Sequence, residues 1–166
     1  MIDEFLESVS AYGGLARRVP TSGAARTTVS AMLDQLEARS LCFWEGDALV
    51  AALDPASLRA AAVPALADAG ITGADCAVAS TGTLALSYGE GRGRDVGLLP
   101  DVHIVVLAAD RIVANLPGAL ALCLGGGRTP PAALTLITGL SATSDIEKIR
   151  ITGVHGPRRL GVVVVG

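Results

Sequence analysis

Short apolar runs that resemble strands alternate with helical segments along most of this chain, and that alternation is the feature that most restricts its fold. Two of the runs, Val102 to Leu107 and Leu160 to Val165, are rich in valine. Strands of this kind are typical of parallel sheets, because both faces of such a sheet are covered by other elements. The alternation therefore predicts an α/β fold of three layers, α/β/α, around a mostly parallel sheet.

A single domain is expected for a chain of 166 residues. We expect a helical N-terminal part over about residues 1–40 and an α/β core over about residues 41–166. In the second helix apolar residues recur at three- and four-residue steps and form one stripe. The glycine-rich segment 88–95 is predicted to be a mobile loop. The predicted helices are 2–11, 24–39, 54–69 with Gly70 as its stop, and one capped by Asp110; the predicted strands are 41–44, 48–51, 75–79, 84–87, 102–107, 134–138 and 160–165.

Composition excludes several classes of function. The net charge is −3 and only 3% of the residues are aromatic, so nucleic acid is not an expected partner. No apolar run approaches the roughly 20 residues that span a bilayer, and the acidic N-terminus does not resemble a signal peptide. We therefore expect a cytoplasmic protein without membrane contact. Because 51% of the residues are hydrophobic, a homo-oligomer is also compatible with the sequence.

The three cysteines, Cys42, Cys76 and Cys123, are far apart in the sequence and lie in apolar surroundings. This spacing favours neither a disulfide framework nor a metal site, and we expect all three to be buried packing residues. With two histidines in the chain, a zinc site is hard to assemble. We expect no metal and no cofactor in this chain.

Two loops have the composition of a small anion site. The first is Ser80 to Thr83, where Gly82 allows unusual backbone angles, and the hydroxyls of Thr81 and Thr83 are suited to an anion. The alternative interpretation is that Gly82 serves a tight turn between two strands and the hydroxyls bind its backbone. Both interpretations remain open on the sequence alone.

The second loop runs from Thr138 to Glu147. Ser144 and Glu147 have the spacing of a helix capping box, which explains those two residues structurally. It leaves Gly139, Ser141 and Thr143 without a structural reason, so these three and the adjacent Asp145 are candidates for ligand binding, with Thr81 to Thr83 as the opposite wall.

A turn before the last strand contributes two further ligand candidates. His155 is either a hydrogen-bonded structural group or part of a site, and Arg158 has a guanidinium suited to a carboxylate or phosphate. His103 begins a buried run, and we expect a packing role for it. No residue is assigned as a catalytic base.

Five segments in combination carry a resemblance to a known family: Thr81–Thr83, Leu98–Val106, Ala109–Val113, Gly139–Glu147 and Gly153–Pro157. The chain resembles the LUD domain family, and within it the C-type subunit of lactate-utilization operons, over about residues 70–166. It departs from the family at Leu140, where the family usually has proline, and in a shorter N-terminal part; both departures are compatible with a divergent function.

The resemblance implies a NagB/RpiA/CoA-transferase-like, Rossmann-like fold. It also implies an accessory subunit of a system that oxidises L-lactate to pyruvate with iron–sulfur partner proteins, one that is not catalytic alone but belongs to an iron–sulfur L-lactate dehydrogenase complex. The alternative is a stand-alone enzyme or sensor that binds a small phosphorylated, CoA-linked or carboxylate ligand.

Overall fold

The computed structural model describes residues 1–125, 127, 129–140, 142–144, 150–152 and 156–166. The helices are α1 (Ile2–Ala11), α2 (Ser22–Gln35), α3 (Ala48–Ala52), α4 (Asp95–Leu98) and α5 (Leu116–Leu124). The strands are β1 (Leu15–Val19), β2 (Ser40–Phe43), β3 (Ala60–Ala61), β4 (Ala69–Gly73), β5 (Cys76–Val78), β6 (Thr83–Tyr88), β7 (Val102–Ala108), β8 (Ile112–Val113), β9 (Ala133–Thr138), β10 (Ala142–Ser144), β11 (Arg150–Thr152) and β12 (Arg159–Val165).

A central sheet of six strands has the order β1-β12-β7-β4-β2-β3, and every neighbouring pair is parallel. The two valine-rich strands, β7 and β12, lie side by side in its interior, where nearly all of their residues are buried. Strands covered on both faces are continuously apolar, which is the pattern that the sequence contains. The predicted α/β fold with a mostly parallel sheet is confirmed.

One face of the central sheet packs against α2 and α3. The stripe predicted on α2 is buried there, with Val29 and Leu33 fully covered and Leu36 8% exposed. α2 begins after Thr21, whose side chain accepts a hydrogen bond from the Ala24 N–H at 3.2 Å. This helix therefore forms one outer layer of the domain.

The opposite face is covered by α1, α4 and a second sheet of four strands with the order β8-β5-β6-β9. Apolar residues of β5 and β6, such as Ala77 and Leu86, pack against Val105 and Val162 of the central sheet. α5 lies on the outer side of this second sheet. The layer on this side therefore contains strands as well as helices. In the described part of the chain, every helix is too short or too polar to cross a bilayer.

The helix predicted over 54–69 is wrong. The segment contains two short 3₁₀ turns, Pro55–Ser57 and Pro64–Leu66, and β4 begins at Ala69. Asp54 has a left-handed φ of 49°, and Pro64 lacks the N–H that a continuing helix requires. Gly70 is a strand residue: a Cβ at this position would lie 1.7 Å from the Val96 carbonyl oxygen, so glycine allows α4 to approach the sheet.

Side-chain capping explains two further differences from the predicted elements. The strand predicted over 48–51 is the helix α3, because Asp47 accepts hydrogen bonds from the N–H groups of Leu49 and Val50. Asp110 was predicted to cap the helix that follows β7, but Asn115 caps it by accepting from the Gly118 N–H. β1 was not predicted at all. It is an edge strand whose two arginines interrupt the apolar pattern.

Candidate functional site

A pocket of about 230 Å³ lies between the amino ends of β7 and β12 and the carboxyl end of β9. We call it the His103 pocket, because His103 is a buried polar side chain in its wall. Leucine side chains supply much of the remaining surface, and Thr138 adds a hydroxyl. Its lining residues are Gly97, Leu98, His103, Leu136, Ile137, Thr138, Gly139, Leu140, Gly156, Pro157 and Leu160.

His103 is held in one position by its neighbours. Its Nε2 lies 2.8 Å from Thr72 Oγ1 on the adjacent strand β4, and the side chain is 1% exposed. Burial lowers the pKa of His103 from its usual 6.5 to about 4, because the apolar surroundings penalise the imidazolium. A Cβ at Gly97 would lie 3.0 Å from His103 Cε1, so glycine lets α4 cover the ring. His103 is therefore a neutral imidazole near pH 7.

Three threonines connect the two loops that the sequence analysis singled out. Thr81 Oγ1 lies 2.7 Å from Thr83 Oγ1, which in turn lies 2.7 Å from Thr138 Oγ1. Thr83 and Thr138 are register partners in the antiparallel pair of β6 and β9. This threonine chain runs from the exposed Thr81 to the wall of the His103 pocket. The structure thus brings Thr81–Thr83 and Thr138–Gly139 together.

Helix α1 lies over both glycines of these loops. Gly82 has a φ of 65°, and a Cβ there would lie 2.8 Å from the Val9 nitrogen. Gly139 has a φ of 70°, and a Cβ there would lie 2.6 Å from Tyr12 Cβ. The Ser8 hydroxyl also donates a hydrogen bond to the Ala79 carbonyl at 2.9 Å. Backbone conformation and close packing both require glycine at these two positions, whatever ligand is bound.

The remaining predicted ligand residues are only partly described. Ser141, Asp145 and His155 lie outside the described residues, and Thr143 is described as a backbone position in β10 paired with Ile151 of β11. Arg158 is exposed, next to Pro157 in the pocket wall.

Two local interactions differ from their predicted roles. Ser144 ends β10 opposite Arg150 and thus lies in a strand, while its predicted capping partner Glu147 is outside the described residues. Arg158 does lie beside a carboxylate, with Nε 3.7 Å from Asp101 Oδ1. The backbone N–H of Arg158 also donates to the Asp101 carbonyl. Both residues of this pair are more than 60% exposed, so the ion pair is weak.

A second pocket, of about 350 Å³, lies at the carboxyl ends of β4 and β7. We call it the carboxyl-edge pocket. Arg92 is central to it: its Nη1 donates to Asp75 at 2.9 Å and its Nη2 lies 3.6 Å from Asp47. Its guanidinium also stacks 4.3 Å from the centre of the Trp44 ring. Asp110 and Arg111 line the same pocket.

The glycine-rich segment 88–95, predicted to be a mobile loop, has several fixed contacts. Trp44 Nε1 donates to the Gly93 carbonyl at 2.8 Å, and the Gly46 N–H donates to the Gly91 carbonyl at 3.0 Å. A Cβ at either Gly46 or Gly91 would lie 2.7 Å from backbone of the other segment. The glycines therefore serve close approach of two backbones.

Sequence reasoning placed His103 correctly in a buried strand but missed its polar partner and its pocket. Thr72 is 31 positions from His103, and no local pattern joins the two. The detectable signal was a single polar residue within a run of seven buried or nearly buried ones.

In the described residues, no group of three or more histidine, cysteine, aspartate or glutamate side chains is arranged to hold a metal ion.

Comparison with known sequences identifies one family. The model of the LUD domain matches residues 58–165. A protein of Deinococcus radiodurans called lactate utilization protein C is 46% identical over 104 residues, which are 60% of this chain and 47% of that protein. A protein of the same name from Bacillus licheniformis is 30% identical over 168 residues, covering 98% of this chain and 68% of that protein. The chain spans about half the length of most of the curated relatives it matches.

A solved structure has the same architecture along nearly the whole chain. It is the crystal structure of a DUF162 family protein from Deinococcus radiodurans, with a TM-score of 0.69 and 27% sequence identity. The alignment covers 99% of this chain and 95% of that one. The arrangement of the elements described above is therefore shared with an experimentally determined relative.

Proposed function

Because this chain belongs to the LUD domain family, we propose that it serves lactate utilization, as an accessory subunit of a system that oxidises L-lactate to pyruvate. In this proposal, iron–sulfur partner proteins take the electrons, and the chain acts in the cytoplasm as part of their complex. The observation that carries the proposal is the agreement of the family match with relatives that are called lactate utilization protein C.

The matched segment contains the parts of the chain that form the proposed site. Residues 58–165 include Thr72, His103, Thr138 and all of the described lining of the His103 pocket. The pocket is smaller than the 300 Å³ or more that is usual for drug-sized ligands. A three-carbon hydroxy acid or keto acid is small enough for it, and its methyl group would lie against the leucines.

The polar groups of the pocket suggest how such a ligand would be held. Neutral His103 and Thr138 are the polar side chains in the described lining, and each already has one partner, Thr72 and Thr83 respectively. In this proposal, the ring nitrogen of His103 that does not face Thr72 and the remaining capacity of the Thr138 hydroxyl bind a carboxylate, hydroxyl or carbonyl oxygen. A group with a pKa of about 4 is too weak a base to hold a proton near pH 7. We therefore propose binding and orientation for His103 and assign no proton transfer to it. The lining that the structure describes contains no lysine or arginine, which favours a carboxylate over a phosphate ligand.

Growth on L-lactate tests the role in lactate utilization. Deleting the gene should abolish growth on L-lactate and leave growth on glucose unchanged. The wild-type gene and a Thr27→Ala control should restore growth on L-lactate. Thr27 is an exposed residue of α2, and this helix lies across the central sheet from the pocket. His103→Leu should fail to restore growth at an equal level of soluble protein. Unchanged growth of the deletion strain, in a host without a second copy of the gene, would refute the proposal.

A stand-alone enzyme or sensor is the second candidate, and the His103 pocket is the observation that favours it. A thermal-shift screen of the purified chain separates the ligand classes, since a ligand at 100 times its Kd stabilises the folded state by about 2.7 kcal/mol. We expect shifts with lactate or pyruvate, and none with sugar phosphates or CoA esters. A shift with a CoA ester, lost in His103→Leu, would favour the second candidate, and so would lactate oxidation by the chain alone.

A further inference from the structure

Two buried cysteines meet between β5 and α5. Cys76 Sγ lies 3.5 Å from Cys123 Sγ, although 46 residues separate the two in sequence. Cys76 Sγ also lies 3.6 Å from the Ala119 carbonyl, one turn before Cys123 on α5. Cys42 is packed in a different apolar cluster. All three cysteines are buried, as the sequence predicts, and two of them form a close pair of thiols.

We propose that Cys76 and Cys123 are a redox modification site, at which peroxide forms a reversible disulfide that links α5 to the second sheet. The inference is independent of the role in lactate utilization. It rests on the contact between the two sulfurs and on the difference in their access to solvent.

The two elements already hold the two sulfur atoms in van der Waals contact. A disulfide has an S–S distance of about 2.05 Å, so the sulfurs must approach by about 1.5 Å. α5 packs directly on β5, and Ala119 and Cys123 form one apolar cluster with Cys76 and Val78. In this proposal, small rotations of the two cysteine side chains supply that movement, because each has a single rotatable bond before the sulfur.

Access differs between the two thiols. Cys76 is fully buried, whereas Cys123 is 9% exposed and lines a pocket of about 230 Å³ with Thr129 and Pro131. Peroxide is small enough to enter such a pocket. Cys123 is therefore the thiol that the oxidant reaches first, and Cys76 is the resolving thiol behind it.

The chemistry balances with hydrogen peroxide as the oxidant. Peroxide transfers one oxygen to the Cys123 thiol, giving a sulfenic acid and one water. The Cys76 sulfur then attacks the Cys123 sulfur, the S–O bond breaks, and the hydroxyl leaves with the Cys76 proton as a second water. Burial raises the pKa of the Cys76 thiol to about 12. Since the thiolate is the form that reacts with peroxide, Cys76 is a poor first target for the oxidant.

The cross-link would affect a specific part of the surface. Leu122, next to Cys123, lines the carboxyl-edge pocket together with Asp75 and Arg92. A disulfide would fix α5 at that wall. It would also close a long loop of chain between β5 and α5, and closing such a loop restricts the unfolded state. Oxidation should therefore raise the melting temperature.

Peroxide treatment of the purified full chain tests the inference. The oxidised protein, unfolded in the presence of N-ethylmaleimide, should take up label at one cysteine, whereas the reduced protein should take it up at all three. Its intact mass should fall by two hydrogen atoms, peptide mapping should show Cys76 joined to Cys123, and dithiothreitol should reverse these changes and the rise in melting temperature.

Matched variants identify the pair. Cys42→Ser should still form the cross-link, and Cys76→Ser and Cys123→Ser should not. Peptide mapping of the wild type decides the matter if a variant does not fold. Three labelled cysteines after peroxide, a cross-link that includes Cys42, or oxygen adducts on Cys123 without a disulfide would each overturn the proposal.

Discussion

Replacing His103 with glutamine should remove one defined part of the acid sensitivity of the fold. Burial lowers the pKa of His103 to about 4 in the folded protein, and unfolding returns the imidazole to water, where its pKa is about 6.5. Above pH 6.5 neither state binds a proton at this side chain. Between pH 6.5 and pH 4 the unfolded state binds one and the folded state does not, so the free energy of unfolding falls as the pH falls.

The expected size follows from the two pKa values. Each tenfold difference in proton affinity is worth about 1.4 kcal/mol, so a pKa of about 4 against 6.5 corresponds to about 3 kcal/mol. About 2 kcal/mol of this should be lost by about pH 5, and little more below about pH 4, where both states are protonated. A loss of that size is a large fraction of the stability of an ordinary domain.

Urea unfolding followed by circular dichroism at several pH values between about 7 and 4 measures this difference. The wild type and a Thr27→Ala control should lose the expected free energy, and His103→Gln should lose about 3 kcal/mol less over the same range. His155, the second histidine, is present in all three proteins and cancels in the comparison. Parallel curves for the wild type and His103→Gln would refute the argument that His103 is neutral and buried.

Two pairs of substitutions test the packing of the predicted loops. Gly82→Ala should lower the free energy of unfolding by about 1–3 kcal/mol, because φ is 65° and the new Cβ would lie 2.8 Å from the Val9 nitrogen. Gly89→Ala meets nothing within 4 Å and should leave the urea midpoint unchanged; equal effects would contradict this. Thr83→Val breaks the threonine chain at its buried centre and should cost about 1–3 kcal/mol, more than Thr81→Val at its exposed end; the reverse order would count against the chain as a stabilising network.

The central strands were predictable because their identity depends on local composition. A strand covered on both faces is mostly apolar and often β-branched, and β7 and β12 have that composition without reference to the rest of the chain. The helix predicted over 54–69 was wrong because the alanines and leucines of this segment favour a helix locally. Pro64 is a local signal against that helix, and the other contacts that hold the segment in a different path are tertiary: Arg26 donates to the Leu53 carbonyl, and Asp68 accepts from the N–H groups of Arg39 and Ser40.

The candidate site was predictable in part for the same reason. Thr81–Thr83 and Thr138–Gly139 stood out by composition, and they do lie together. The pairing of His103 with Thr72, and that of Cys76 with Cys123, depends on strand order and on the position of α5. Neither spacing nor periodicity contains that information.

Glycines and buried histidines differ in how strongly they indicate a ligand. Gly82 and Gly139 have the sequence context of an anion cradle, yet their positive φ values and their packing against α1 and Tyr12 explain why neither position accepts a side chain. His103 needs a different explanation, because an imidazole without contact to water is costly where a leucine would pack without cost. Its hydrogen bond to Thr72 reduces that cost, but the pocket beside the ring is then left without structural purpose. A ligand bound in the pocket would explain why the space beside the ring is kept open. His103, rather than either glycine, is therefore the residue at which binding should be tested first.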